Sequence, residues 1–326
     1  MSLNRRHLLR AAAATTAASV APALLAQTSA WPSKPLRIVV PYPPGGSSDI
    51  IARSISTLLG DSLGQLVIVE NKAGANGNLG TDFVAKSAAD GHTFLLCDVG
   101  ALAITPSVYS KLPFEPSKDL RGVTMLAYSP HLLVVHPSVP ANNLQELVAL
   151  SKTRDLNFAV TATGSAPHLA GVALQRAVNA RWQYIPYKGG IQAIQDTVGG
   201  QTQVLMNGML ATLPHVQSSK LKLLGVSKRT RMPLIGSTPT LAEQGVKDFE
   251  SGTWQGVLVP RATPDAVVQK LNAALITAIR SPEVRARLAG QGAEVVTMAP
   301  AEQDRFYEAE RAKWAKVVTE AGIKVE

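Results

Sequence analysis

Short apolar runs alternate along this chain with stretches whose apolar residues recur every three or four positions. Ile38, Val39 and Val40 form a continuous apolar run, the pattern of a strand buried on both faces of a sheet. Prolines 41, 43 and 44 end it, because proline has no N–H for a strand ladder. Gly45 and Gly46 follow, and then Ile51, Ile55, Leu58 and Leu59 share one helical face. Ser47 or Ser48 is placed to cap this helix and Gly60 to close it. Next come a strand around Val67–Val69, a Gly/Asn loop, a helix carrying Leu79, Phe83 and Val84, and a strand at Thr93–Cys97. A proline-rich connection from Pro106 to Pro116 leads to an apolar run at Val123–Leu126.

The rhythm restarts at Leu132–Pro137, with a helix over about Leu144–Lys152 and a strand at Asn157–Thr161. A second glycine loop, Thr161-Ala162-Thr163-Gly164-Ser165-Ala166-Pro167-His168, again joins a strand to a helix, here one bearing Leu169, Val172, Ala173 and Ala177. Further strands are expected at Tyr184–Tyr187, Val204–Met206, Leu221–Val226 and Trp254–Pro260. Helices then take over. One carries Val267, Val268, Leu271, Ala274, Leu275 and Ala278 in a stripe, and the charged tail from Ala299 turns Phe306, Trp314, Val317 and Val318 inward. Strands alternating with helices predict an α/β protein of two facing lobes, each a mainly parallel sheet flanked by helices.

The two glycine loops carry the candidate chemistry. The N-terminus of a helix offers free N–H groups and a positive dipole end, which hold an anion without a basic side chain. Gly45 and Gly46 also let the backbone approach a ligand closely. A tight strand-to-helix connection accounts equally well for either loop taken alone. Neither is a phosphate-binding loop of the nucleotide triphosphatases, since no Gly-Lys-Ser/Thr ending follows. Gly74-Ala75-Asn76-Gly77-Asn78-Leu79-Gly80 lacks the first close glycine pair of a dinucleotide fingerprint. No cofactor and no metal are expected, because none of the six histidines has metal-ligand spacing.

Composition narrows the function classes. The 326 residues suffice for two lobes. The net charge is +9, and +6 without Arg5, Arg6 and Arg10. That balance suits small anions, and no Lys/Arg stripe with interleaved aromatics points to nucleic acid. Those arginines precede an Ala-rich stretch free of acidic residues, so residues 1–30 read as an export signal, twin-arginine-like or general, cleaved between about Ala23 and Ala30. The mature chain is then expected in the periplasm. Cys97 is the single cysteine and reads as a buried, inert thiol.

The ordered series Pro41-Tyr42-x-Pro44-Gly45-Gly46-x-x-Asp49-x-x-Ala52-Arg53, Val69-Glu70-Asn71-Lys72-x-Gly74-Ala75-x-Gly77-Asn78-x-Gly80, Asp90-Gly91-His92-Thr93, His168-Leu169-Ala170-Gly171 and Pro186-Tyr187-Lys188-Gly189 resembles the Bug family. These are extracytoplasmic solute receptors of tripartite tricarboxylate transporters, and the resemblance runs from Trp31 to the C-terminus. It implies a type II Venus-flytrap fold with two hinge crossings, residues 31–127 plus 250–326 forming one lobe and 128–249 the other. It also implies a small organic carboxylate held by backbone N–H groups and ordered water, which costs little affinity relative to direct contact. By position the site would include Tyr42, Pro44, Gly45, Gly46, Ser47 and Ser48 on one side and Thr163, Gly164, Ser165 and His168 on the other. Asp98, Gly100, Ala101, Tyr187, Asn207 and Trp254 fall where family members line the cleft or hinge.

One position departs from the family. Members commonly read Phe-Asp-Asn-Leu where this chain has Met206-Asn207-Gly208-Met209. A carboxylate there would pair with an ammonium, whereas an amide only hydrogen-bonds. The expected ligand is therefore an organic acid that is not an amino acid, although the substitution is also compatible with a structural role. Expected partners are a membrane permease of the tripartite type or a sensor kinase, and the expected state is a monomer. Asp49 reads as a helix-start acid, His168 as a helix-start histidine, and Lys188 as either an anion contact or a solvated turn lysine. Two rival functions compete with this reading, a hydrolase built on Ser165 and His168 and a ligand-sensing regulator. The first lacks a nucleophile elbow and an orienting acid, and the second lacks a DNA-binding helix-turn-helix.

Overall fold

The computed structural model describes residues 31–324; the expected export signal lies outside them. β1 (Leu36–Val40) is buried at Leu36, Ile38, Val39 and Val40. α1 (Ser47–Leu63) packs Ile51, Ala52, Ile55 and Leu59 beneath it, with Leu58 only partly buried. This helix ends at Gly64, not Gly60. Gly64 takes the left-handed conformation at φ 67° and its N–H bonds the Gly60 carbonyl, so Gly60 sits inside the last turn.

β2 (Val67–Asn71) leads to α2 (Asn78–Ala85), which buries Gly80, Thr81 and Val84. Leu79 and Phe83 instead face outward. A Cβ at Gly80 would lie 2.8 Å from both the Lys72 carbonyl and Pro41, so the helix seats on its glycine and turns the larger residues away. β3 (Thr93–Asp98) runs straight into α3 (Val99–Val108), which takes up Pro106 from the expected proline-rich connection. α3 is apolar on nearly every side and buried, so it has no amphipathic period to read.

β4 (Leu120–Val135) is one strand of 16 residues that joins the two separate runs expected at 123–126 and 132–137. Beyond it lie α4 (Leu144–Ser151), β5 (Asn157–Val160) and α5 (Ala166–Val178). α5 buries Leu169, Ala170, Gly171 and Leu174, leaving Ala173 and Ala177 exposed. Gly171 sets that face, since a Cβ there would press on Tyr184 at 3.1 Å and Phe158 at 3.3 Å. β6 (Gln183–Pro186), α6 (Gly190–Val198), β7 (Val204–Gly208), α7 (Met209–Gln217) and β8 (Lys222–Val226) complete this half. β9 (Gly252–Pro260), α8 (Asp265–Ile279), α9 (Pro282–Gly290), β10 (Glu294–Val295) and α10 (Pro300–Ala321) return to the first.

The strands join in the order β2-β1-β3-β9-β4-β7-β5-β6, with β8 and β10 also on β4. The outer strands are parallel, β1 with β2 and β3, and β5 with β6 and β7. β9 and β4 run antiparallel to their neighbours at the centre. Each half has its own core, one around Ile38, Phe94, Val257 and Leu271 and the other around Leu133, Phe158, Trp182 and Met206. The chain passes between the halves along β4 and again on entering β9. There His131 N–H bonds Ser251 O at 3.1 Å and Ser251 N–H bonds Ser227 O at 3.0 Å. His131 is fully buried beside them and burial drives its pKa down to about 3, so the crossing holds a neutral imidazole.

Candidate functional site

A narrow cavity of about 50 Å³ lies where the halves face each other, lined by Tyr42, Gly46, Ser47, Ser48, Asn76, Asp98, Ala101, Thr161, Ser165, Pro167, Gly190, Asn207, Thr253 and Gln255. Four helix starts reach it: α1 through Gly46–Ser48, α3 through Asp98 and Ala101, α5 through Ser165 and Pro167, and α6 through Gly190. Two are capped by their own side chains. Asp98 accepts from Gly100 N–H at 3.0 Å, and Ser165 Oγ accepts from His168 N–H at 3.3 Å. The other two, α1 and α6, begin at Gly46 and Gly189 with no side-chain cap. The first N–H groups of a helix have no intrahelical acceptor, so these two starts offer donors from opposite halves.

Neither serine caps α1, contrary to the sequence expectation, because both stand inside its first turn. Ser48 Oγ instead donates to Gln255 Oε1 at 2.6 Å. Asp49 lies on the far side of the loop and fixes its shape. Its carboxylate accepts from Gly45 N–H at 2.9 Å, Arg53 Nε at 3.0 Å and Asn71 Nδ2 at 2.9 Å, while Asn71 also bonds Tyr42 O. Burial alone would raise this carboxyl, but these bonds and the Arg53 charge outweigh it and hold it below the usual range.

Asp98 and Tyr42 are the ionisable side chains on the cavity wall, and no lysine or arginine lines it among the described residues. Burial pushes Asp98 up to about 7, against the N–H bonds from Trp254 (3.1 Å), Gly100 and Ala101 that favour its charged form. Burial also raises the Tyr42 phenol, with the Asp98 charge adding to it. His168 lies just outside the wall. Its Nδ1 accepts from Gly164 N–H at 3.0 Å, its ring meets Tyr184 edge-on, and burial lowers it to about 4, so it is neutral near pH 7.

Of the residues named from sequence, Tyr42, Gly46, Ser47, Ser48, Asp98, Ala101, Ser165 and Asn207 share this wall. Pro44, Gly45, Gly100, Thr163, Gly164, His168, Tyr187 and Trp254 stand behind it. Gly45 (φ 86°) and Gly164 (φ 76°) shape the two loops. Tyr187 packs among Leu132 and Ala193, and Trp254 stacks between Tyr128 and Phe306 with ring centroids 4.4 and 5.0 Å away. Thr161 and Pro167 belong to the second glycine loop, whereas Asn76, Gly190, Thr253 and Gln255 were not anticipated. Gly190 had a readable signal, as the second glycine of Lys188-Gly189-Gly190 before an apolar helix, and Thr253 and Gln255 flank Trp254 on a strand.

The halves meet around the cavity. A Cβ at Gly189 would lie 2.5 Å from Pro43 Cδ, and one at Gly164 would lie 2.6 Å from Val108 Cγ1. Ile104 and Val108 of α3 pack with Ala166 and Leu169 of α5 and with Val318 of α10. Ser165 and His168 do not form a nucleophile–base pair. The serine hydroxyl donates to Ala162 O at 2.8 Å and meets the histidine through its backbone N–H, not its ring.

Residues 51–323 match the tripartite tricarboxylate transporter family receptor. The chain is 38% identical over 298 residues to protein BugT of Bordetella pertussis, covering 90% of this chain and 91% of that one. Among solved structures, an R. palustris protein with adipate superposes with a TM-score of 0.87 at 32% identity, covering 90% of this chain and 99% of that one. MatC from Rhodopseudomonas palustris with bound malate gives 0.84 at 31% identity, covering 88% and 100%.

Proposed function

The chain belongs to the tripartite tricarboxylate transporter receptor family, and from that premise we propose that this solute-binding receptor captures a small organic carboxylate that is not an amino acid. The observation that carries this reading is the pair of uncapped helix starts at Gly46 and Gly189, facing one cavity from opposite halves. Such starts stabilise an anion through oriented N–H groups and need no arginine. Relatives solved with adipate and malate agree with a carboxylate. Asn207 puts a neutral amide where an acidic residue would pair with an ammonium, and burial favours the neutral form of Asp98, the other candidate partner on the wall.

In this reading residues 31–127 with 250–326, and 128–249, act as two lobes that close on the ligand in the periplasm, and a membrane permease of the tripartite type receives it from the monomeric receptor. Catalysis has no support in the site, where Ser165 is engaged as a helix cap. A thermal-shift screen tests the ligand class, because a ligand that binds only the folded state raises its Tm. Dicarboxylates and hydroxy acids should raise the Tm, by amounts that grow with concentration, while amino acids leave it unchanged. A larger shift with an amino acid than with every acid would overturn the assignment.

A further inference from the structure

Asn76 stands in the turn between β2 and α2 and lines the cavity. Its amide Oδ1 and Nδ2 are both shut off from solvent, and neither has a hydrogen-bond partner among the described residues. Buried side-chain amides are nearly always paired, so two orphaned atoms beside a ligand cavity, closed off in this conformation, mark a place for a partner that enters when the halves part. The backbone holds the side chain there. Ala75 and Asn76 both take positive φ, 46° and 55°, and a Cβ at Gly77 beside them would lie 3.2 Å from the Tyr42 ring. Asparagine tolerates that left-handed region better than most residues.

We propose that Asn76 reads a hydroxyl group on the bound acid, so that the receptor selects hydroxycarboxylates over the same acids without the hydroxyl. This rests on the carboxylate reading of the cleft. A hydroxyl both donates and accepts, and a neighbouring carboxylate oxygen accepts, which together satisfy Oδ1 and Nδ2. An ammonium beside a carboxylate could reach the same two atoms, but the neutral Asn76 amide gives its charge no ionic partner. An acid without the hydroxyl leaves Oδ1 unpaired, and sites built to bond a hydroxyl discriminate strongly against its absence.

The test is calorimetric titration of the full mature receptor with three matched pairs: succinate and malate, glutarate and 2-hydroxyglutarate, adipate and 2-hydroxyadipate. Asn76→Gly removes the amide and suits the positive φ, so its unliganded Tm should equal or exceed that of the parent protein. The parent should bind the hydroxy member of its preferred pair at least about tenfold more tightly. Asn76→Gly should lose about that factor for the hydroxy acid and change the other member less than about threefold. Equal losses for both members, or no preference in the parent, would overturn the role of Asn76 and leave the carboxylate cleft standing. Failure of all six acids to bind the parent would overturn the carboxylate reading and this inference with it.

Discussion

At the residue scale the sharpest consequence comes from Asp98. Its carboxyl sits near 7 in the folded protein because burial outweighs the N–H bonds that favour its charge, whereas an unfolded aspartate titrates near 3.9. The folded state therefore keeps a proton that the unfolded state has lost between about pH 4 and 7, and stability falls as pH rises through that window. Asp98→Asn stays neutral throughout. Relative to this variant, the parent protein should lose up to roughly 1.4 kcal/mol per pH unit from pH 4 to 7, read by denaturant unfolding at stepped pH. A pH-independent difference would contradict the buried, proton-holding carboxyl. The sequence placed Asp98 near the cleft only through family resemblance, since its titration depends on β9 and α3 closing over it. Asn76 was illegible for the same reason: an orphaned amide exists only once the turn, Tyr42 and α2 have packed.

Elements were readable where a short apolar run or an apolar helix face was bounded by glycine, proline or polar residues. β1, β3, β5 and α1 follow from apolar runs, period and punctuation, although the cap of α1 falls on Gly46 and not on the expected Ser47 or Ser48. The reading failed where a buried helix has no polar face, where a polar centre interrupts a long strand, or where glycine decides the face, as in α3, β4 and the exposed Leu79 and Phe83 of α2. The two uncapped starts also make a testable element. Gly189 is extended, at φ −179°, so alanine is conformationally acceptable there, but its Cβ would strike Pro43 on the opposite half. Overpacking of this kind costs about 1–3 kcal/mol. Opening the cleft relieves it, so Gly189→Ala should weaken acid binding roughly tenfold and leave unliganded Tm unchanged. Unaltered affinity in titration calorimetry would show that Pro43 and Gly189 do not meet in the bound state.

For the whole molecule, the alternating rhythm and the restart near Leu132 pointed to two facing halves, and the ordered motifs pointed to the receptor family. Their junction was less legible. A single 16-residue β4 makes one continuous sheet across both halves, and its polar centre with Pro130 hid that continuity. Apolar contact of α3 and α10 with α5 adds a second junction on the cleft's rim, since side chains far apart in sequence meet there. Closure of two lobes around a ligand draws its energy from contacts made only when both halves are engaged. Central to the proposed function is a hold on the acid by backbone N–H groups from both halves. Titration of the isotopically labelled receptor with malate, followed by amide NMR, tests it most directly. The amide signals of Ser47 and Ser48 on one half and of Gly190 on the other should shift together and gain protection from hydrogen exchange at saturation, whereas binding that moves neither set, or only one, would contradict the clamp.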